Sequence, residues 1–388
     1  SDRTDRAEAG RPSGVDDGFA LPRPFFGDAT TGKPSAVASA APTSPHASVP
    51  REAAGASRRG DPSSAVAPSG AASWDGLRGS NVWSLNDYPR PPADTGRGFH
   101  WVPTLRSSRE VVDRFVREAK AMKASWVVIL NDGTNIGDND YLVRRLVENG
   151  IEPIMRIYTP NGRPIEGDLT AMVRHYRALG VDYFQPYNEP NLPRENPDGR
   201  VSVDSYLDRW IPAARAILKG GGLPGFGALA PAAPVDDLAF LRAALEGLRQ
   251  RGALDTLDRA WISLHNYSFN RPVDYQGDSN GFLKFRWYDQ IVREQIGRSL
   301  PIIGTEGGAH IDHNLDPRYP PVDEARRDQL VLDAYRYLAR REPYFFAFTY
   351  WVIANEAGGG HDPEYTKHAL FKPDGTPTKL ALHLRELA

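Results

Sequence analysis

The fold this sequence predicts is α/β, a (β/α)8 TIM barrel, and three observations carry the expectation. Eight short apolar runs alternate with stretches of helical period over about 290 residues. No glycine-rich phosphate loop follows the first run, which argues against a doubly wound open sheet; Gly220–Gly222 trail a helix candidate and Gly358–Gly360 come after the last run. Polar residues gather at the ends of the runs, where a barrel of this kind builds its site.

Taken in order, the candidate strands are 98–103, 125–130, 152–158, 182–187, 225–230, 261–267, 301–306 and 345–352. Helices are expected at 108–123, 139–149, 168–179, 203–218, 235–251, 284–298 and 322–341, with one more at 377–387. Ser107 and Ser108 stand before the first helix, where unpaired N–H groups need a hydroxyl acceptor. In that helix Val111, Val112, Phe115, Ala119 and Met122 hold an apolar stripe at three-to-four spacing. Gly150 and Gly180 follow the next two helices, where a left-handed residue can end them.

Composition sets the outer limits. Of 388 residues, 47 are Lys or Arg and 49 Asp or Glu, a net charge of -2 that leaves no basic footprint for nucleic acid. No cysteine is present, which excludes thiol catalysis, disulfides and cysteine-held metals. The longest strongly apolar stretch, 345–354, is about half a membrane span. The chain begins at Ser1 with no basic-then-apolar leader, as expected of a processed or trimmed product.

Residues 1–73 differ from the rest: 44 of the 73 are Ala, Gly, Pro or Ser, and the only aromatics are Phe19, Phe25 and Phe26. Such a segment buries too little apolar surface to order itself, so a flexible low-complexity extension is expected, with the catalytic domain at 74–388. It reads as an export linker or as a tolerated tail; a third reading has the stickier 21–26 stretch wrapping the domain.

The fourth candidate strand ends in Tyr187-Asn188-Glu189-Pro190 and the seventh in Gly304-Thr305-Glu306-Gly307-Gly308. A charged side chain that closes an apolar run is costly unless it is used, and paired carboxylates cleave glycosidic bonds. The sixth strand ends in His265-Asn266-Tyr267, whose spacing of two puts His265 and Tyr267 on one face.

With Asn-Glu-Pro after strand four and Glu after strand seven, the chain resembles the clan A retaining glycoside hydrolases, a group with cellulase-like, mannanase-like and β-xylosidase-like families (5 and 39 among them). That resemblance implies Glu189 as acid/base, Glu306 as nucleophile and Asn188 on the sugar 2-hydroxyl. The His-x-Tyr of strand six is similar to the family 5 pattern. It implies Tyr267 hydrogen-bonded to Glu306, and His265 binding a substrate hydroxyl or orienting the acid. Trp351 matches the clan's aromatic platform beneath the sugar.

Arg156, inside an apolar strand, needs a carboxylate partner, and Glu306 is the natural one; many family 5 members carry the comparable Arg on an earlier strand. His100, Trp101, Asn131 and Asp132 read as substrate contacts or as residues shaping the rim. His310, Asp312 and His313, with His361, Asp362 and Glu364, fit no common metal spacing and read as linings of outer sugar subsites. Phe285-Arg286-Trp287-Tyr288 reads as packing.

The expected activity is retaining cleavage of β-linked oligo- or polysaccharide, with carboxyl groups about 5–5.5 Å apart. A transglycosylase with the same site and a catalytically silent glycan-binding barrel are the alternatives. No cofactor or metal is expected. The expected partner is a β-glycan bound by a monomer, outside the cell or at its surface, with neither nucleic acid nor a membrane span involved.

Overall fold

The computed structural model describes residues 82–101, 107–355 and 363–387. The expected extension 1–73, residues 102–103 of the first candidate strand and Gly358–Gly360 lie outside the described residues.

Eight strands form the wall: β1 (Arg97–His100), β2 (Trp126–Asp132), β3 (Glu152–Tyr158), β4 (Tyr183–Pro186), β5 (Leu223–Leu229), β6 (Trp261–Tyr267), β7 (Ile302–Gly308) and β8 (Phe345–Tyr350). All pair in parallel in chain order, and β1 closes on β8. The barrel expected from the sequence is the barrel found. Around it run α1 (Arg109–Ala121), α2 (Asp140–Glu148), α3 (Leu169–Leu179), α4 (Val203–Lys219), α5 (Asp237–Gln250), α6 (Phe285–Ile296) and α7 (Glu324–Tyr337). A short α8 (Pro363–His368) precedes α9 (Lys379–Glu386). Six residues are too few to show a helical period, so α8 has no signature in the sequence. Among the described residues no helix is long and apolar enough to cross a membrane.

Local chemistry sets the helix ends. Ser108 accepts from the Val111 N–H, and Asp168, Ser202, Asp236, Asp323 and Thr378 do the same for α3, α4, α5, α7 and α9. Gly180 ends α3 at φ 107°, a left-handed turn that a side chain would resist. The stripe of α1 (Val112, Phe115, Val116, Ala119) packs on the outer faces of the strands, as do the apolar faces of the other long helices.

Inside the wall, the filling changes along the strands. At their N-terminal ends Trp126, Ile154, Tyr183, Leu223, Trp261, Ile303 and Phe346 form one cluster, closed beneath by Trp83, Leu85 and Tyr88. Polar tips of the buried rings are engaged there: Tyr88 Oη donates to Ala260 O (2.7 Å), Tyr183 Oη to Pro89 O (2.6 Å) and Trp126 Nε1 to Asp94 Oδ1 (2.8 Å). Above this plug lies a layer of hydroxyls. Ser263 Oγ donates to Gln185 Oε1 (3.1 Å) and sits 2.7 Å from Thr305 Oγ1. The charges lie above that, at the C-terminal mouth.

Candidate active site

Strand periodicity delivers most of the mouth. On β3, Ile154 faces the plug, so Arg156, two residues on, faces inward at the top. On β6 the same face carries Trp261, Ser263, His265 and Tyr267, from plug to mouth.

On β7 the periodicity is broken. Leu264 of β6 pairs with Gly304 and His265 with Glu306, leaving Thr305 uncounted by the ladder. Thr305 and Glu306 both face inward as a result, the re-aiming that a bulge performs. A β-carbon on Gly308 would collide with the Tyr350 ring, so glycine lets β8 approach closely behind Glu306.

Glu189 arrives differently, on the turn after β4. Tyr187 and Glu189 take left-handed φ values of 62° and 39°, as does Ala228 at 56°. Each costs on the order of 1–2 kcal/mol. The Glu189 N–H donates to Ala228 O (2.8 Å), holding the turn in place.

The side chains converge. One oxygen of Glu189, one of Glu306 and a ring nitrogen of His265 all lie within 4.8 Å of one another. Glu306 receives Arg156 Nη1 on Oε1, and Tyr267 Oη donates to Oε2 (3.0 Å). His265 Nδ1 shares a hydrogen bond with Glu189 Oε1 (3.0 Å) and lies 3.7 Å from Glu306 Oε2. Arg194 Nη2 donates to Glu189 Oε2 (3.2 Å). Both carboxylates are 2% exposed. Burial alone would raise Glu306, but His265 and Arg156 overcome it and hold the carboxyl at about 2. Burial, with Arg156 adding to it, pushes His100 down to about 3, so its ring is neutral. It accepts from Arg156 at Nε2 (3.5 Å), and its Nδ1 lies 3.3 Å from Trp101 O.

Trp351 stands at the end of β8 with its ring 4.2 Å from His100 and 5.3 Å from Tyr365. Asn188 sits beside the acid turn, its Nδ2 donating to Glu195 Oε1 (3.3 Å). Of the eight residues singled out in the sequence, Glu189, Glu306, Asn188, His265, Tyr267, Trp351 and Arg156 meet at the mouth. Trp101 does not, and this corrects the expectation. Neighbouring strand residues point to opposite faces: His100 turns inward while Trp101, 1% exposed, packs edge-on against Phe115 of α1. Its indole N–H donates to Ser107.

Asn131 is consumed by its own loop, donating to Gly133 O and Asn135 O (both 3.0 Å), and Asp132 accepts from Asn135 (3.4 Å). His310 lines no open subsite: it is fully buried, stacked on His368 (3.7 Å) and edge-on to Tyr267 (4.8 Å). Asp312 pairs with Lys367 at 3.6 Å. His361, Asp362 and the Glu364 side chain lie outside the described residues. Phe285 stacks on Phe345 (4.0 Å), and Tyr288 Oη donates to Asp237 (2.7 Å), which is packing.

Sequence reasoning missed Arg194 and Glu195. Their one signal was two charged residues within six positions of Glu189, on a loop rich in Pro and Asn. Glu189, His265 and Glu306 are also the one trio among the described residues that could gather around a metal ion. Arg156 and Arg194 already neutralise both carboxylates, which leaves little charge to hold a dication. The arrangement suits proton transfer and nucleophilic attack between two opposed carboxyl groups.

No family model and no curated protein matches the chain. Solved structures do. A β-glucuronidase from Bacteroides uniformis, covalently bound to cyclophellitol-6-carboxylate aziridine, superposes with a TM-score of 0.50 at 18% identity, covering 74% of this chain and 34% of that one. A Bifidobacterium dentium β-glucuronidase gives 0.48 at 13% identity over 79% and 48% of the two chains. A family 51 α-L-arabinofuranosidase from Bifidobacterium longum gives 0.45 at 14% over 69% and 68%. The chain spans about a third of the length of the first solved structures it matches. At these identities the likeness is one of fold.

Proposed function

We propose that this barrel is a glycosidase that cleaves β-linked glycosides with retention of configuration, using Glu306 as nucleophile and Glu189 as acid/base. The observation that carries the reading is the opposed carboxyl pair. Facing oxygens within 4.8 Å are closer to the ~5–5.5 Å spacing of retaining sites than to the ~6.5–9.5 Å that an inverting site needs for its water.

The two carboxyls are also dressed differently. Glu306, held ionised by Arg156 and oriented by the Tyr267 hydroxyl, is fit to attack an anomeric carbon. Glu189, gripped by His265 and Arg194, is placed to give its proton to the departing oxygen. Once the Glu306–sugar ester forms, Glu189 takes a proton from water, whose oxygen attacks the anomeric carbon and releases Glu306. Trp351 offers an apolar face for the ring, and Asn188 offers its amide to a neighbouring hydroxyl.

The test is the stereochemistry of the first product, followed by proton NMR on a panel of aryl β-glycosides and β-glycans. Retention is expected, abolished in Glu306→Gln. An inverted first product, or undiminished turnover in that variant, overturns the assignment.

A further inference from the structure

The loop after β4 brings a third carboxyl to the mouth. Glu195 is 5% exposed and lines a cavity of about 190 Å³ between the loops that follow β3 and β4. By liquid volume that is room for roughly six waters, enough to exchange a proton with the carboxyl. The loop itself is tied down. Asn196 donates to Pro190 O (2.9 Å) and Leu192 O (2.8 Å), and Arg209 Nη2 of α4 donates to Asn196 Oδ1 (2.9 Å).

One cation stands between this carboxyl and the acid. Arg194 gives Nη2 to Glu189 Oε2 (3.2 Å), while its Nε lies 3.9 Å from Glu195 Oε1. Its side chain is 39% exposed, whereas both carboxyl groups are buried. The guanidinium is therefore the member of the trio with room to move, and it serves two carboxyls with a single charge. A cation against a carboxyl favours the ionised form, which suits a base and opposes an acid.

We infer that Glu195 is a positioning residue for the acid: as an anion it draws the Arg194 guanidinium towards itself and away from Glu189, leaving Glu189 free to carry the proton that the departing oxygen needs. The inference rests on the glycosidase reading and deepens it, adding a residue that favours the first chemical step over the second.

Glu195 is faced by Glu189, Arg194 and Asn188 from its own side of the mouth, and by Arg156 and Tyr158 from β3. Burial, then the like charge of Glu189, push its carboxyl up to about 7, with Arg156 and Arg194 pulling the other way. Below that pH Glu195 is neutral and Arg194 stays with Glu189. Above it the Glu195 anion competes for the guanidinium and repels a second charge on Glu189. In the first step Glu189 passes its proton to the departing oxygen while Glu306 bonds to the anomeric carbon, so that step gains from the anion. The second step needs Glu189 as a carboxylate and gains nothing.

Glu195→Gln keeps the shape of the side chain and an oxygen for the Asn188 N–H, and removes only the charge. On an alkyl glycoside, whose aglycone leaves only with a proton, kcat/KM of the variant should match the parent at about pH 5.5 and fall roughly tenfold below it at about pH 8.5. On a dinitrophenyl glycoside, whose aglycone needs no proton, the two should stay within about twofold at both. A ratio that does not change with pH, or equal losses on both substrates, overturns the inference. In the intact chain, the Arg194 Nε–H resonance (identified by its loss in Arg194→Lys) is expected to titrate with a midpoint near 7, and to stop doing so in Glu195→Gln. A flat resonance in the parent, or one that still titrates there in the variant, overturns it as well. If the parent cleaves no glycoside, the glycosidase reading fails and the Arg194 resonance alone decides whether Glu195 holds the guanidinium.

Discussion

At the N-terminal ends of its strands the barrel is filled by rings, with Trp126, Tyr183 and Trp261 meeting edge to face at 5.4 and 5.8 Å. Their polar tips are spent on fixed partners, as where Trp261 Nε1 donates to Leu223 O (3.0 Å). At the C-terminal ends the same strands hold Arg156, His265 and Glu306 almost as deeply, but as charges and imidazole facing one another. Removing such ions from water costs several kcal/mol each before their mutual attraction is counted, and the left-handed turn at Glu189 adds strain. One end is near its packing optimum, while the other is held against its own preference. The difference shows how one set of strands can stabilise a reactive arrangement that would not stand alone.

Paired substitutions test that contrast most severely. Glu306→Gln should lower kcat by on the order of 10³-fold or more, with the melting temperature unchanged or raised. Trp261→Ala should cost about 3–5 kcal/mol of stability while the molecules still folded keep the parent kcat, read from thermal melts and low-temperature kinetics. A plug variant that folds but loses turnover would break the division between the ends.

Tyr267→Phe asks a smaller question. It removes the hydroxyl donor to Glu306, and a hydrogen bond to a charged group predicts a kcat loss of roughly 10- to 100-fold, with KM little changed.

A buried carboxyl also sits at the lower rim, and it sharpens the comparison through pH. Burial raises Glu152 from 4.5 to about 8, only partly opposed by Arg177. Between those values the unfolded chain has released its proton and the native state has not, so raising the pH favours unfolding. The melting temperature of the parent should therefore fall by several degrees relative to Glu152→Gln between about pH 5 and 8. A constant difference between the two would show that Glu152 is not held neutral. Smallest of all, Trp101→Phe should leave KM within about twofold, since the indole lies outside the wall, at a cost of about 1 kcal/mol.

The strands and the carboxyl pair were legible because both follow from short-range rules. Apolar runs mark the wall, and a charge at the end of such a run, as at Glu189 and Glu306, has few uses other than chemistry. Trp101 stands with His100 at the end of an apolar run, which marks the mouth but not the face, and neighbouring strand residues face opposite ways. Glu195 and α8 were missed for another reason. A loop residue or a six-residue helix carries no periodicity, and the contact of Glu195 with Asn188 depends on how the loop folds back, which no local pattern records.

The unpaired Thr305 bears on how β7 tolerates editing. In a strictly alternating strand that kept all seven residues, Glu306 would take the parity opposite to Ile303 and project into the helical layer. Removing Thr305 would instead preserve the pairings already present, Leu264 with Gly304 and His265 with Glu306, and keep the carboxylate on the inner side. What such a deletion forfeits is the hydroxyl beside Ser263. β7 thus has one residue of slack at its most sensitive point. A shortened chain would aim its nucleophile correctly at the present level, whereas a chain lengthened by one residue between Ile303 and Glu306 would restore the parity but carry the carboxylate two residues further along, opposite Tyr267 rather than His265.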